Sequence, residues 1–267
     1  MSILVTGARG SVGRTVVEKL LAAGESVRAA SSQPGDTSLP AEVEVIGLDL
    51  TDPAAIDAAL DGVDRVFLYA AEKGIDNFAR AAKSAGIQRI TLLSSIAAAE
   101  PGNPIGDRHL AAERPLQSAD LPLTILRPGA FATNWRWWAP SIKSERVVRL
   151  PFPDVHQNSI HEADIADAAI TALTEPGHEG HIYPLTGPES LSLRQMVDIL
   201  ATALGEPLHL EHITYAQASE FLYRPMLDLW SQLGDTPAPV GPTSESVTGR
   251  PARTFAQWAT DHIADFK

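Results

Sequence analysis

Gly7, Gly10 and Gly13 stand three residues apart in Val5-Thr6-Gly7-Ala8-Arg9-Gly10-Ser11-Val12-Gly13. Glycine at such spacing permits a tight turn, close approach of the backbone to a pyrophosphate, and close packing of a helix on a strand. The chemistry on offer is phosphate binding, because the N–H groups opening a helix and the positive end of its dipole attract an anion. A buried-strand pattern precedes the glycines and an amphipathic helix follows them. In that context Thr6, Gly7, Arg9, Gly10, Ser11, Val12 and Gly13 read as a dinucleotide-binding turn.

Further candidates lie at the ends of later apolar runs. An NAD-binding turn is normally followed, about 20 residues on, by an acid that holds the ribose 2′-OH. Here the position carries Ser31-Ser32-Gln33, and the first acid is Asp36. With Arg9 inside the turn to meet a 2′-phosphate, NADP(H) is favoured over NAD(H). Asp49 and Leu50 stand where they would flank an adenine, although Asp49 reads equally well as a turn residue. Leu68, Ala70 and Ser94 are expected beside the cofactor, at the C-terminal ends of core strands where such sheets bind ligands. Ser95 is assigned to the substrate. So are Phe131, Trp135 and Trp138, since large aromatic rings stack on flat molecules; packing between lobes is the competing reading. His109 is the one candidate proton donor or hydrogen-bond donor at the reaction centre, against the alternative of a structural histidine. His156, His161, His178 and His181 lack the spacing of a metal site, and none is expected.

The elements that must position these residues alternate. Apolar strand patterns at about residues 3–6, 26–30, 43–48, 63–70, 89–94 and 123–126 are separated by helix patterns, one of them near 110–119, and Asp52-Pro53 reads as a helix cap. Repeated units of this kind imply an α/β fold, a doubly wound parallel sheet with right-handed crossovers. After Pro128 the texture turns aromatic and proline-rich. A core of residues 1–130 plus 159–185 and a smaller, mainly helical substrate lobe of 131–158 plus 186–267 are expected, forming one continuous structural unit.

Composition narrows the partners. The 267 residues carry a formal net charge of −12, which repels phosphate backbones and argues against nucleic-acid binding. There are no cysteines, so disulfides and thiolate chemistry are excluded and a cytoplasmic setting is expected. No apolar run approaches the roughly 20 residues of a membrane span.

Taken in order, the turn at 5–13 is followed by Gly47-Leu48-Asp49-Leu50-Thr51-Asp52, Leu92-Leu93-Ser94-Ser95, His109-Leu110-Ala111-Ala112-Glu113, Leu123-Thr124-Ile125-Leu126-Arg127-Pro128-Gly129 and Thr248-Gly249-Arg250-Pro251. This series resembles the NmrA-like branch of the atypical short-chain dehydrogenase/reductase superfamily, close to NADPH quinone reductases and triphenylmethane reductases. Arg9 departs from the small residue usual in that family's turn, and Ser32 from the arginine that often follows its second strand. The resemblance implies a Rossmann-type fold, a dinucleotide and a reductase working on a planar small molecule, as a monomer or homodimer.

It also exposes a departure. The superfamily's Tyr-x-x-x-Lys dyad is replaced by His109-x-x-x-Glu113, so alcohol–ketone interconversion is not expected. A quinone, dye or enone remains a suitable acceptor, because it needs positioning more than a dedicated acid. The resemblance leaves two alternatives: a non-catalytic NADP sensor that binds a protein partner, and an epimerase or isomerase that uses bound NADP.

Overall fold

The computed structural model describes residues 2–32, 35, 39–100 and 102–267; Gln33 and Asp36 lie outside them. The chain opens with β1 (Ser2–Thr6), α1 (Ser11–Ala22), β2 (Val27–Ser31), β3 (Glu44–Gly47), α2 (Pro53–Leu60) and β4 (Val63–Tyr69). It continues with α3 (Ile75–Ser84), β5 (Arg89–Leu93), α4 (Pro104–Ser118) and β6 (Leu123–Pro128). A 3-10 stretch (Ala132–Trp138) leads to α5 (Ala139–Glu145), β7 (Val147–Leu150), β8 (His156–Gln157), α6 (Glu162–Thr174) and β9 (Ile182–Leu185). The remainder holds β10 (Leu191–Ser192), α7 (Leu193–Leu204), β11 (His209–His212), α8 (Tyr215–Ala218), α9 (Arg224–Leu233), α10 (Glu245–Thr248) and α11 (Phe255–Asp261).

Seven strands form one sheet in the order β3-β2-β1-β4-β5-β6-β9, every pair parallel. Chain order reverses beside β1, which pairs β2 on one edge and β4 on the other. That reversal is where open α/β sheets bind ligands, at the C-terminal ends of the strands. The strands read as unbroken apolar runs because a parallel sheet is covered on both faces: Ile3, Leu4, Val66, Phe67, Leu68 and Leu92 have no solvent exposure.

The chain clusters into two units. One contains Met1–Gly129, Glu162–Leu185 and Pro242–Pro251; the other contains Ala130–His161, Thr186–Gly241 and Ala252–Lys267. Residues 242–251, expected in the smaller lobe, group with the sheet unit, where α10 packs on α6. Each unit has its own apolar core. The first is built from residues such as Leu4, Ile56, Phe78 and Ile125, the second from Trp138, Ile142, Leu193 and Trp258.

Two local departures from expectation matter for the site. The helix expected from about residue 110 begins at Pro104, because Asn103 accepts from the N–H groups of Ile105 and Gly106 (3.0 and 3.3 Å) and proline at the first position costs the helix nothing. The second strand runs one residue further than expected, to Ser31, which places the end of β2 level with the start of the glycine turn.

Candidate active site

The glycine turn is built as its spacing requires. Gly7 has φ +62, a left-handed conformation that other residues adopt only with strain. A Cβ on Gly13 would lie 2.3 Å from the Gly7 carbonyl oxygen, so α1 packs directly on the turn. Gly10 caps α1 in extended conformation with no side chain over the helix end, and no acid stands in the first turn. The N–H groups of that end are therefore backbone donors fit for an anion. Thr6 braces the floor: its Oγ1 accepts the Tyr69 N–H at 2.7 Å, tying the end of β1 to the end of β4.

Beside the turn lies a cavity of about 340 Å³. Of the expected cofactor residues, Thr6, Gly7, Arg9, Gly10, Ser31, Ser32 and Leu50 line it, with Ala30, Leu48, Tyr69 and Ala71. Among the described residues no carboxylate lines it, and side chains at Gly7 or Gly13 would press on Tyr69 and on the turn's own backbone. These residues fit a dinucleotide with its pyrophosphate on the turn.

The other expected cofactor residues take different places. Val12 and Gly13 are buried, and Ser11, half-buried at the start of α1, lines neither this space nor the next. Leu68 is sealed inside β4. Asp49 is exposed, and its carboxylate accepts from Thr51 N–H and Oγ1 (2.8 and 2.7 Å), bonds that hold its pKa below the usual value. Asp49 thus shapes the turn through one carboxylate oxygen, and Leu48 and Leu50 supply apolar lining to the cavity.

A second pocket, about 290 Å³, shares Tyr69 and Ala71 with the first. Ala70, Glu72, Lys73, Ile105, Arg108 and His109 complete it. His109 is put there by close helix packing: a Cβ on Gly106 would lie 2.1 Å from the Ala97 carbonyl, so the first turn of α4 rests on the backbone of Ile96–Ala99. Burial lowers the pKa of His109 against the opposing pull of Glu113, and Arg108 lowers it further. Its Nδ1 is buried with no hydrogen-bond partner among the described residues. The pocket's apolar walls are Tyr69, 54% exposed, and Ile105, 43% exposed.

Glu113, one helical turn beyond His109, is fully buried. Its carboxylate accepts from Arg127 Nε and Nη2 (3.0 and 2.5 Å) and from Ser94 Oγ (2.5 Å). Ser94 is thus committed to the protein's own network rather than to either cavity. Ser95 caps the short 3-10 turn, accepting from the Ala97 N–H at 3.3 Å.

In the second unit, the expectation that Trp135 and Trp138 face a substrate is not met. They are 3% and 0% exposed and belong to the apolar core, their rings 5.0 Å apart. Trp135 Nε1 donates to Ser159 Oγ at 2.9 Å and the ring stacks on Trp230. Residue type announced large buried area without saying which side would be covered. Phe131 keeps part of its surface and bridges Ile160 through its backbone. Tyr69, Lys73 and Arg108 were missed. The rule that ligands gather at the carboxyl ends of strands would have found Tyr69, the last residue of β4.

A doubly wound parallel sheet, a glycine turn at its switch point and an adjoining pocket with His109 in place of the superfamily's tyrosine define an atypical short-chain NAD(P)H-dependent oxidoreductase. The chain belongs to the NAD(P)H-binding family, whose model matches residues 7–176. It is 36% identical, over 99% of both chains, to the (4-alkanoyl-5-oxo-2,5-dihydrofuran-3-yl)methyl phosphate reductase of Streptomyces griseus. It is 32% identical, again over 99% of both, to the NAD(P)H azoreductase of Xenophilus azovorans. Among solved structures, the NADPH-dependent quinone oxidoreductase of Escherichia coli complexed with NADPH superposes with TM-score 0.79 at 26% identity, covering 98% of this chain and 99% of that one.

Proposed function

We propose that this chain is an NADPH-dependent reductase of electron-poor conjugated acceptors, quinone-, azo- or enone-like. The observation that carries this reading is the pair of adjoining cavities. One has the glycine turn and, among the described residues, no carboxylate; the other has two exposed apolar walls and a neutral imidazole. The relatives named above act on a butenolide, an azo compound and a quinone, which share a polarised π system that takes a hydride and a proton.

When bound, NADPH supplies the hydride, two electrons and one hydrogen, leaving one proton to come from elsewhere. Arg9, with Ser31 and Ser32 at the rim, would take a 2′-phosphate, which supports NADP(H) over NAD(H). Tyr69 and Ile105 hold a flat acceptor between them. His109, kept neutral by burial, donates a ring N–H hydrogen bond to the heteroatom on which negative charge develops, and the proton that completes the reduction comes from water. Glu113 and Arg127 hold the base of α4 against β6 so that the imidazole keeps its place.

The test is NADPH oxidation against a panel of naphthoquinones, azo dyes and conjugated lactones. Turnover is expected with members of the panel, with kcat/KM for NADPH at least tenfold above NADH, and Arg9→Ala is expected to cut that ratio by about tenfold, the size of one charge-assisted contact. Absence of oxidation above the blank with every acceptor would remove the reductase reading; tight NADPH binding without turnover would favour the sensor.

A further inference from the structure

The pocket beside His109 has three charged side chains at its mouth: Glu72, Lys73 and Arg108. Arg108 and Glu72 form an ion pair, so they neutralise one another. Lys73 is exposed and makes no hydrogen bond or ion pair with any described residue. An ammonium without a counter-charge at the mouth of a pocket can take an anion.

We infer that the acceptor reduced by this chain carries an anionic group, a phosphate monoester or its equivalent, which Lys73 binds while its conjugated system lies between Tyr69 and Ile105. The inference rests on the reductase reading above and narrows its substrate class. Lys73 lies in the loop between β4 and α3, and Arg108 and His109 lie on α4. The anion and the reducible bond therefore meet different elements, and a substrate with its anion a few bonds from the acceptor carbon spans both. The relative from Streptomyces griseus is named for a substrate of that design, a conjugated lactone with a phosphate on an adjacent methyl group. The cofactor's own phosphates are the other source of the same chemistry. The glycine turn already offers them backbone donors in the neighbouring cavity.

The experiment compares acceptors matched except for charge: an acyl butenolide bearing a hydroxymethyl group against its phosphate monoester, and a naphthoquinone with and without a sulfonate on its distal ring. Each is run with wild type, Lys73→Met and Lys73→Arg, while NADPH affinity is followed by fluorescence. The expected result is roughly tenfold higher kcat/KM for the anionic member in wild type, from one charged hydrogen bond. That preference should be lost in Lys73→Met, largely kept in Lys73→Arg, and accompanied by unchanged NADPH affinity. Equal use of both members by wild type would overturn the inference and leave the reductase reading intact. A Lys73→Met variant that binds NADPH more weakly but keeps the preference would assign the lysine to the cofactor and overturn it too. Failure of every acceptor would remove both readings together.

Discussion

Glu113 stands where a short-chain dehydrogenase carries its lysine, and here the position has been turned to structural use. A carboxylate with no solvent exposure is tolerable only when its oxygens are filled, and Arg127 and Ser94 fill them. Removing it with Glu113→Ala leaves the mostly buried guanidinium of Arg127 without its counter-charge. Destabilisation of about 3–5 kcal/mol is expected, measured by urea unfolding. A loss under about 1 kcal/mol would show that water or neighbouring groups replace the carboxylate. His109 stays neutral for a related reason: burial outweighs the attraction of Glu113. The residue that replaces the superfamily's tyrosine is therefore suited to donating a hydrogen bond rather than to holding a charge.

Among the elements, β1, the glycine turn and α1 act as one device, and its parts can be separated by mutation. A methyl on Gly13 would press on the Gly7 carbonyl at 2.3 Å, backbone against backbone, with nothing flexible to yield. A methyl on Gly10 would meet the same oxygen at 3.3 Å, a contact the turn can absorb. Gly13→Ala should therefore lose about 1–3 kcal/mol of stability together with NADPH affinity. Gly10→Ala should lose affinity with little change in stability, because its methyl enters the space where the backbone approaches a pyrophosphate. Thermal melts and NADPH titration of both variants separate the two effects.

This device was legible because spacing, strand pattern and helix pattern are all local, and so was the alternation that implies the sheet. The network of Glu113 was not legible, since its partners are Ser94, just past β5, and Arg127, in β6, 19 and 14 residues away. Nor was the start of α4: its apolar face begins late, while the Asn103-Pro104 cap that sets its first turn lies ahead of that face. Asp49 was ambiguous because an acid after a strand serves a ligand or a turn equally well, and its bonds to Thr51 use one carboxylate oxygen and leave the other open.

At the scale of the whole molecule, two apolar cores coexist, one under the sheet and one around Trp135, Trp138 and Trp258. Trp138 has no exposure, so Trp138→Ala removes a large ring from the second core. A cost of about 3–5 kcal/mol is expected, read as a fall in the urea midpoint. A near-neutral result would mean that the ring's volume is recovered by collapse of its neighbours. Among the described residues no helix is long and apolar enough to cross a membrane.

The two units are also interleaved along the chain: residues 1–129, 162–185 and 242–251 alternate with 130–161, 186–241 and 252–267. During synthesis the sheet must wait for β9, its last strand, until a stretch of the other unit has already left the ribosome. Recombination meets the same obstacle, because no single crossover can exchange one unit and leave the other whole. A new substrate lobe therefore cannot be acquired whole in one exchange.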